Sequence, residues 1–308
     1  MTGRQNGYIE PCGCSGLENK KGGLARRFSL LEQLQRKGWT LAPVDVGGQV
    51  KRSGPQAEIK FHRTMAALRK MNYVAATFGG GDLQLPVGDL ASAALDEQGA
   101  LCSANVGLFE LDSGITPRYR IVKSGGRTLG ITAVLADSGR EKIKNGGDLA
   151  CVSAVKALRE VVPKMKPKAD FLILLSHGSL EESRELAKRF PDFNLVISSG
   201  GSDEPPRQPE RIPGGKTFLL QVGAKGMHAG VLALYDDAHA PWRYQRVRLN
   251  KDFAEAGPMK KLMAEYQSQL KDLGLPGLGL RPVRRPDGRE FVGSATCGEC
   301  HETAYRIW

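Results

Sequence analysis

The chain lacks an apolar run long enough to span a bilayer, which argues against a transmembrane helix. Its first residues, Met1-Thr2-Gly3-Arg4, carry neither a charged n-region nor an apolar h-region, so no leader is written there. Aromatic residues make up only 6% of the sequence. A formal charge of +11 therefore arrives without the stacking platforms that nucleic-acid binding would use. The basic residues are also dispersed, at Lys20-Lys21, Arg26-Arg27, Lys51-Arg52, Lys164 to Lys168 and Arg281 to Arg289. Solvated charge, or steering of an acidic partner or anionic surface, accounts for them, and nucleic acid is excluded as a partner. Six cysteines in 308 residues are too few for a disulfide framework once two are committed elsewhere. There is no tandem repeat.

What is present is strand and helix in alternation. Thr40 to Val46, Tyr73 to Phe78 and Leu101 to Val106 read as short buried strands. Helical spacing covers Gln56 to Lys70 and Val87 to Leu95. Tyr119 to Val122 and Thr128 to Leu135 flank Ser124-Gly125-Gly126, a hairpin signal. Leu149 to Val162 is helical and is expected to end near Pro163. Asp170 to Ser176 is a continuous apolar strand, as expected when both sheet faces are covered. Leu180 to Phe190 reads as a helix and Asn194 to Ile197 as a strand. Three β segments follow, at Thr217 to Val222, His228 to Tyr235 and Tyr244 to Leu249. A last helix spans about Met259 to Leu273, and Leu275 to Arg289 reads as a Gly/Pro/Arg-rich linker.

Several strands end in small residues: Gly47-Gly48, Gly79 to Gly81, His177-Gly178 and Ser198 to Gly201. Glycine makes tight turns anywhere. Four such ends together predict a shared cleft, because open α/β sheets bind ligands at the carboxyl ends of their strands. Glycine-rich ends can expose backbone N–H groups to phosphate or carboxylate, so a small anion is a candidate occupant.

Near the carboxyl end stands Cys297-Gly298-Glu299-Cys300-His301. Cys-x-x-Cys-His is the attachment spacing of c-type haem, with the thiols on the vinyl groups and the imidazole as proximal ligand. Half a zinc site or a redox Cys-x-x-Cys are the other readings of this spacing. The motif predicts haem c at Cys297, Cys300 and His301, and with it a periplasmic or otherwise extracytoplasmic protein that meets a redox partner, at a membrane or away from one. The chain stops at Trp308, soon after the motif, so it is expected to be a fragment trimmed at both ends, with any signal segment outside it.

Gly7-Tyr8-Ile9-Glu10-Pro11-Cys12 and Gly22-Gly23-Leu24-Ala25-Arg26, followed by the four strand ends in order, resemble the calcineurin-type metallophosphoesterases in their 5′-nucleotidase-like branch. The resemblance covers residues 1 to about 250. It implies a four-layer αββα sandwich of the metallo-dependent phosphatase type, two metal ions that activate water and clamp phosphate, and carboxylate, amide and imidazole ligands on the strand ends. This chain departs from the ligand pattern. It has Arg4 and Asn6 at the first pair and Gly47-Gly48 at the second, with Asp45 earlier on that strand. It has Gly79-Gly80-Gly81-Asp82 at the third and Ser199-Gly200-Gly201-Ser202 at the last. Only His177 stands where the resemblance puts a ligand. A single imidazole does not balance two divalent ions, so the expectation is a hydrolase site without its dinuclear centre. Cys12 and Cys14 lie beside it and are candidates for a soft metal, a redox pair or plain loop residues. The tail's motif and position also resemble fusions of this fold to a multihaem cytochrome c.

Three domains are expected: a phosphatase-like body at 1–250, a helix and linker at 251–292, and the start of a truncated cytochrome c segment at 293–308. The leading reading is electron transfer, with a catalytically silent phosphatase-like domain. The alternatives are an active metallophosphoesterase with ligands redrawn from Asp45, Asp82, His177, Asp203 and the Cys12/Cys14 pair, or an anion-binding module. Enzymatic activity is left open, with no catalytic residue assigned.

Overall fold

The computed structural model describes residues 1–308 apart from 14–15, 17–18, 97–98, 141–142, 144–146, 238, 240, 282–285, 290–291 and 308. It divides into two compact units, Met1–Asp272 and Leu273–Trp308.

In chain order the elements begin with α1 (Leu24–Arg36), β1 (Val44–Asp45), α2 (Pro55–Lys70), β2 (Ala75–Ala76), α3 (Val87–Ala94) and β3 (Val106–Leu108). The hairpin β4 (Tyr119–Ser124) and β5 (Arg127–Leu135) follows, then α4 (Asp137–Arg140), β6 (Leu149–Cys151) and α5 (Ala154–Met165). Next come β7 (Phe171–His177), α6 (Leu180–Arg189), β8 (Leu195–Ser198), β9 (Glu210–Arg211) and β10 (Phe218–Gln221). The hairpin β11 (His228–Leu234) and β12 (Trp242–Arg248) leads to α7 (Gly257–Gly277), α8 (Gly293–Gly298) and α9 (Glu302–Ile307).

The main sheet runs β4-β5-β7-β8-β10-β9. Its four central strands are parallel, and β4 and β9 close its edges antiparallel. Side chains alternate across it. Leu172, Leu174, Val196 and Leu219 pack with Ala157, Leu158, Val161 and Val162 of α5 and with Leu186 of α6. Ile173, Leu175, Leu195, Ile197 and Leu220 face the other way and pack with Val44, Val46 and Ala75. That two-sided burial is why β7 reads as an unbroken apolar run.

On this second side β1 and β2 are only two residues long. β1 and β2 pair in parallel, with Thr2 bridged to Asp45 and Leu101 to Ala76. β11 pairs with β12, and β3 with β6. The expected seven-residue strand at Thr40 to Val46 shrinks to Val44–Asp45, because Pro43 has no N–H to place in a ladder. The β4–β5 turn is as expected, with Gly125 and Gly126 both at positive φ. α5 runs through Pro163 to Met165, whose side chain is fully buried, and this packing outweighs the lost helix hydrogen bond. Residues 149–151, expected inside that helix, form β6.

Met259, Leu262 and Tyr266 of α7 are buried. Non-helical geometry at Gly274 interrupts α7 just past the boundary between the units. In the second unit Cys297 lies on α8, and its carbonyl accepts from the His301 N–H at 2.9 Å. Cys297, Cys300 and His301 are exposed, and both thiols are free.

Candidate functional site at the carboxyl ends of the strands

The glycine-rich ends of β1, β2 and β7 do converge. A Cβ on Gly47 would stand 2.6 Å from the Thr77 carbonyl oxygen. One on Gly79 would stand 2.5 Å from the Gly48 nitrogen and 2.6 Å from Cε1 of His177. Contacts this close admit only glycine, so these residues let two strand ends and an imidazole meet. Gly48 also faces the Arg4 backbone, at 3.3 Å from its own missing Cβ position. Arg4 and His177 therefore flank one glycine. Arg4 and Asn6 hold positive φ values of 48° and 54°, an uncommon conformation for residues with side chains.

His177, at the end of β7, is half-buried. Its Nδ1 lies 2.7 Å from the Val46 carbonyl oxygen. A carbonyl can only accept, so Nδ1 carries the proton and Nε2 of the neutral ring presents a lone pair. A hydrogen bond of this kind fixes the tautomer of an imidazole that acts as base or ligand. Burial pushes the His177 pKa below the usual histidine value, against the raising effect of the Val46 carbonyl and Asp45; Arg4 adds a lowering.

The two carboxylates are not available in the same way. Asp45 is fully buried. Its Oδ2 accepts from Thr2 at 2.6 Å, and Oδ1 accepts from the Gly47 N–H at 2.9 Å and Gln49 at 2.8 Å. Arg27 stands 3.7 Å away in an ion pair that solvent barely reaches, and also donates to Gln5. Asp82 is equally buried and accepts from the N–H groups of Gly48 at 2.9 Å, Gly79 at 2.8 Å and Val50 at 2.9 Å. Burial still dominates there, and the carboxyl is pushed up to about 6 despite those donors. Asp82 thus stitches the β1 and β2 loops together beneath the site.

Arg4 occupies the rim. It donates to the Gly201 carbonyl at 3.2 Å and pairs with Asp203 at 3.1 Å. Asp203 is more than half exposed, so water or an anion can replace it as partner. Cys12 is disulfide-bonded, which removes a free thiolate there, and Cys14 lies outside the described residues.

Sequence reasoning missed two components. Arg26-Arg27 was expected as solvated charge, yet both are buried, and Arg27 neutralises Asp45. Asn105 is fully buried and ties strand ends together, accepting from Leu135 N–H at 2.9 Å and donating to the Leu135 carbonyl at 2.7 Å. No local pattern marks either role.

No family model matches the sequence. An apyrase of Aedes albopictus is 30% identical over 137 residues, which is 38% of this chain and 24% of the apyrase. A 5′-nucleotidase precursor from Thermus thermophilus superposes with a TM-score of 0.75 at 20% identity, over 88% of this chain and 58% of its own. The NAD nucleotidase of Haemophilus influenzae gives 0.66 at 15% identity, over 90% and 70%. The chain spans about a quarter of the apyrase it matches.

These similarities correct the electron-transfer reading: the relatives are nucleotide hydrolases, and the likeness runs through the body of the chain. The expectation of haem c on Cys297, Cys300 and His301 loses its support with it, as does the expectation that a dinuclear metal centre is excluded. The fit of such a centre is a separate matter. Among the described residues no group of three or more His, Cys, Asp or Glu is arranged to hold a metal ion. Asp45 and Asp82 are engaged with Arg27 and backbone donors, and Arg4 brings positive charge to the rim. These residues do not compose a two-metal cage, and no step below passes through one. Among the described residues no helix is long and apolar enough to cross a membrane. The chain has the α/β fold of the 5′-nucleotidase-like metallophosphoesterases.

Proposed function

We propose that the chain is a phosphoesterase-type domain that takes a nucleotide-class phosphate ester at the carboxyl ends of its strands and hydrolyses it at a rearranged site built on His177 and Arg4. The observation that carries this reading is the His177 geometry, with Nδ1–H spent on Val46, Cε1 set against Gly48 and Gly79, and Nε2 left as an acceptor. Arg4 exchanges the exposed Asp203 for phosphate oxygens, a charge-assisted and directional interaction. His177 Nε2 takes a proton from the attacking water. The P–O ester bond breaks as the new P–O bond forms, and the leaving alkoxide is protonated by solvent. The four-layer sandwich and an extracytoplasmic location belong to the same proposal. The first is supported by packing on both faces of the main sheet, and the second by the Thermus relative being a precursor.

The test is phosphate release from AMP, ADP and ATP by the purified chain, with and without added divalent ions. His177→Ala is expected to reduce kcat by about 100-fold or more, the contribution of a positioned general base. Arg4→Ala is expected to raise KM. Because the His177 pKa lies below the ordinary value, the acidic limb of the rate profile should fall below the usual histidine range. Turnover indifferent to His177→Ala refutes the assignment.

A second reading has its own support in Arg4, a cation where the resemblance puts a metal ligand. On that reading the domain binds the anion without turning it over. Saturable AMP binding without phosphate release, lost in Arg4→Ala, selects it.

A further inference from the structure

The face of the main sheet that packs on α6 changes character at its end. Leu172 and Leu174 of β7 and Val196 of β8 continue, at alternating positions, into Ser176 and Ser198, which are register partners. Ser183 of α6 meets both, with its Oγ 2.9 Å from Ser176 Oγ and 2.7 Å from Ser198 Oγ. All three residues are fully buried. A hydroxyl buried in an apolar layer costs free energy unless it is hydrogen-bonded, and here one arrangement of protons satisfies every contact. Ser183 gives its proton to the Ser179 carbonyl at 2.8 Å, since a carbonyl can only accept. Its two lone pairs then take the protons of Ser176 and Ser198. The Ser198 oxygen accepts in turn from the Gly200 N–H at 2.9 Å.

Ser176 and Ser198 therefore differ in what they carry. The Ser176 hydroxyl bonds to Ser183 and goes no further, whereas Ser198 passes the connection into the loop that follows β8. That loop is pressed against the start of α6: a Cβ on Gly200 would stand 2.3 Å from the Leu180 nitrogen and 2.8 Å from the Gly178 carbonyl oxygen. Ser199 fastens it further, accepting from the Gly178 N–H at 3.1 Å and donating to the Gly178 carbonyl at 3.3 Å. The next carbonyl along, that of Gly201, accepts from Arg4 Nη1 at 3.2 Å. Arg4 Nη2 is held by the exposed Asp203 at 3.1 Å. When an anion takes the place of Asp203 on Nη2, the Gly201 carbonyl on Nη1 is the bond that keeps the guanidinium aimed.

We propose that Ser198 is a positioning residue for Arg4: through the Gly200 N–H it holds the Gly201 carbonyl in place, and that carbonyl directs the guanidinium at a bound phosphate. The assignment rests on the reading of Arg4 as the group that binds phosphate. Ser198 does not touch the ligand, and it passes no proton, because its own proton is committed to Ser183 and the line of bonds ends on the Ser179 carbonyl. A guanidinium on a long side chain loses rotamer freedom when it binds an anion. An Arg4 already anchored at Nη1 has given up much of that freedom beforehand, so less is lost on binding. The effect of Ser198 therefore belongs to affinity and not to the chemical step.

The experiment sets Ser198→Ala against Ser176→Ala in the whole chain. Both remove a fully buried hydroxyl bonded to Ser183, but only the first leaves the Gly200 N–H without its acceptor. Ser198→Ala is expected to raise the AMP Kd, and KM with it, by about three- to tenfold, the equivalent of one lost hydrogen bond. Its kcat should be unchanged, as for any loss of uniform binding. Ser176→Ala should leave Kd, KM and kcat as they are. Ser183→Ala frees the Ser198 hydroxyl but leaves Gly200 its acceptor, and should give a smaller change in the same direction. Without AMP, the Arg4 Nε–H resonance should shift in Ser198→Ala and not in Ser176→Ala. Amide exchange at Gly200 should quicken by about tenfold in Ser198→Ala alone, the same bond seen as local opening. A parent that neither binds nor hydrolyses AMP defeats the phosphate reading, and the Arg4 resonance then still decides the positioning. An Arg4 resonance unmoved by Ser198→Ala overturns the proposal. Equal effects of Ser198→Ala and Ser176→Ala overturn it too, and make the three serines packing alone.

Discussion

The carboxyl ends of the strands and the gap beside their amino-terminal halves are built on opposite terms. At the carboxyl ends the acidic groups are already satisfied. Asp45 has four partners in Thr2, Gly47, Gln49 and Arg27, and Asp82 has three backbone donors. What remains for a ligand there is His177 Nε2 and the exchangeable Arg4. In the gap the walls are apolar, with Leu129, Ile173 and Leu195 of the main sheet and Leu30 and Leu34 of α1 around it. A site closed by internal bonds has little freedom to change its ligands, whereas apolar walls fix no partner by direction.

The largest effect that would test this contrast is at the Arg27–Asp45 pair. Arg27→Met should destabilise the protein by about 3–5 kcal/mol, because it leaves Asp45 buried and uncompensated. Asp45→Asn in the same chain should recover part of that loss. Urea unfolding measures both, and an Arg27→Met cost below about 1 kcal/mol would show that Asp45 is not held as described.

Asp82→Ala comes next. It strands the N–H groups of Gly48, Gly79 and Val50 in the interior, at a cost of about 3 kcal/mol. Slowed amide exchange at Gly48 and Gly79 should be lost together. If only one of the two responds, Asp82 does not couple the β1 and β2 loops.

The pH dependence of stability follows from the same carboxyl. Its pKa is raised in the fold, from 3.8 to about 6, so the folded state binds the proton more tightly. This contribution is fully present below about pH 4 and is lost as pH rises through about 6, by up to about 3 kcal/mol. His177 acts in the opposite sense: its lowered pKa makes its contribution present above the ordinary histidine value and lost at more acid pH. Unfolding across pH 4–7 in the parent and in Asp82→Asn isolates the first contribution. A parent profile that differs in no way from Asp82→Asn contradicts it.

The smallest stability effect is expected at Arg4. Its pair with Asp203 is exposed on one side, so Arg4→Ala should cost less than about 1 kcal/mol. The same substitution should nevertheless raise KM for the ester, which separates a binding role from a structural one.

Much of the scaffold was legible because its signals are local. β7 and β8 announce themselves as apolar runs, α6 by helical spacing over Leu180 to Phe190, and the β4–β5 turn by Gly125-Gly126. The converging glycines and His177 could be read for the same reason. The bonds that define the site could not. Asp82 reaches back to Gly48 and Val50, and Arg27 to Thr2 and Asp45, and no spacing rule anticipates pairings across the fold. The Arg26-Arg27 doublet looks like any solvated pair until α1 carries it inward. Cys297, Cys300 and His301 drew the functional reading toward electron transfer because that motif is compact and the hydrolase signal is spread over the whole chain.

The central claim rests on one proton. Histidine-selective ¹⁵N NMR can place it, since the chain has five histidines. The account predicts that His177 is protonated at Nδ1 and bare at Nε2 near neutral pH, and that AMP shifts its Nε2 resonance while His62 and His239 stay unmoved. A His177 protonated at Nε2, or one that does not respond to saturating AMP, would contradict it.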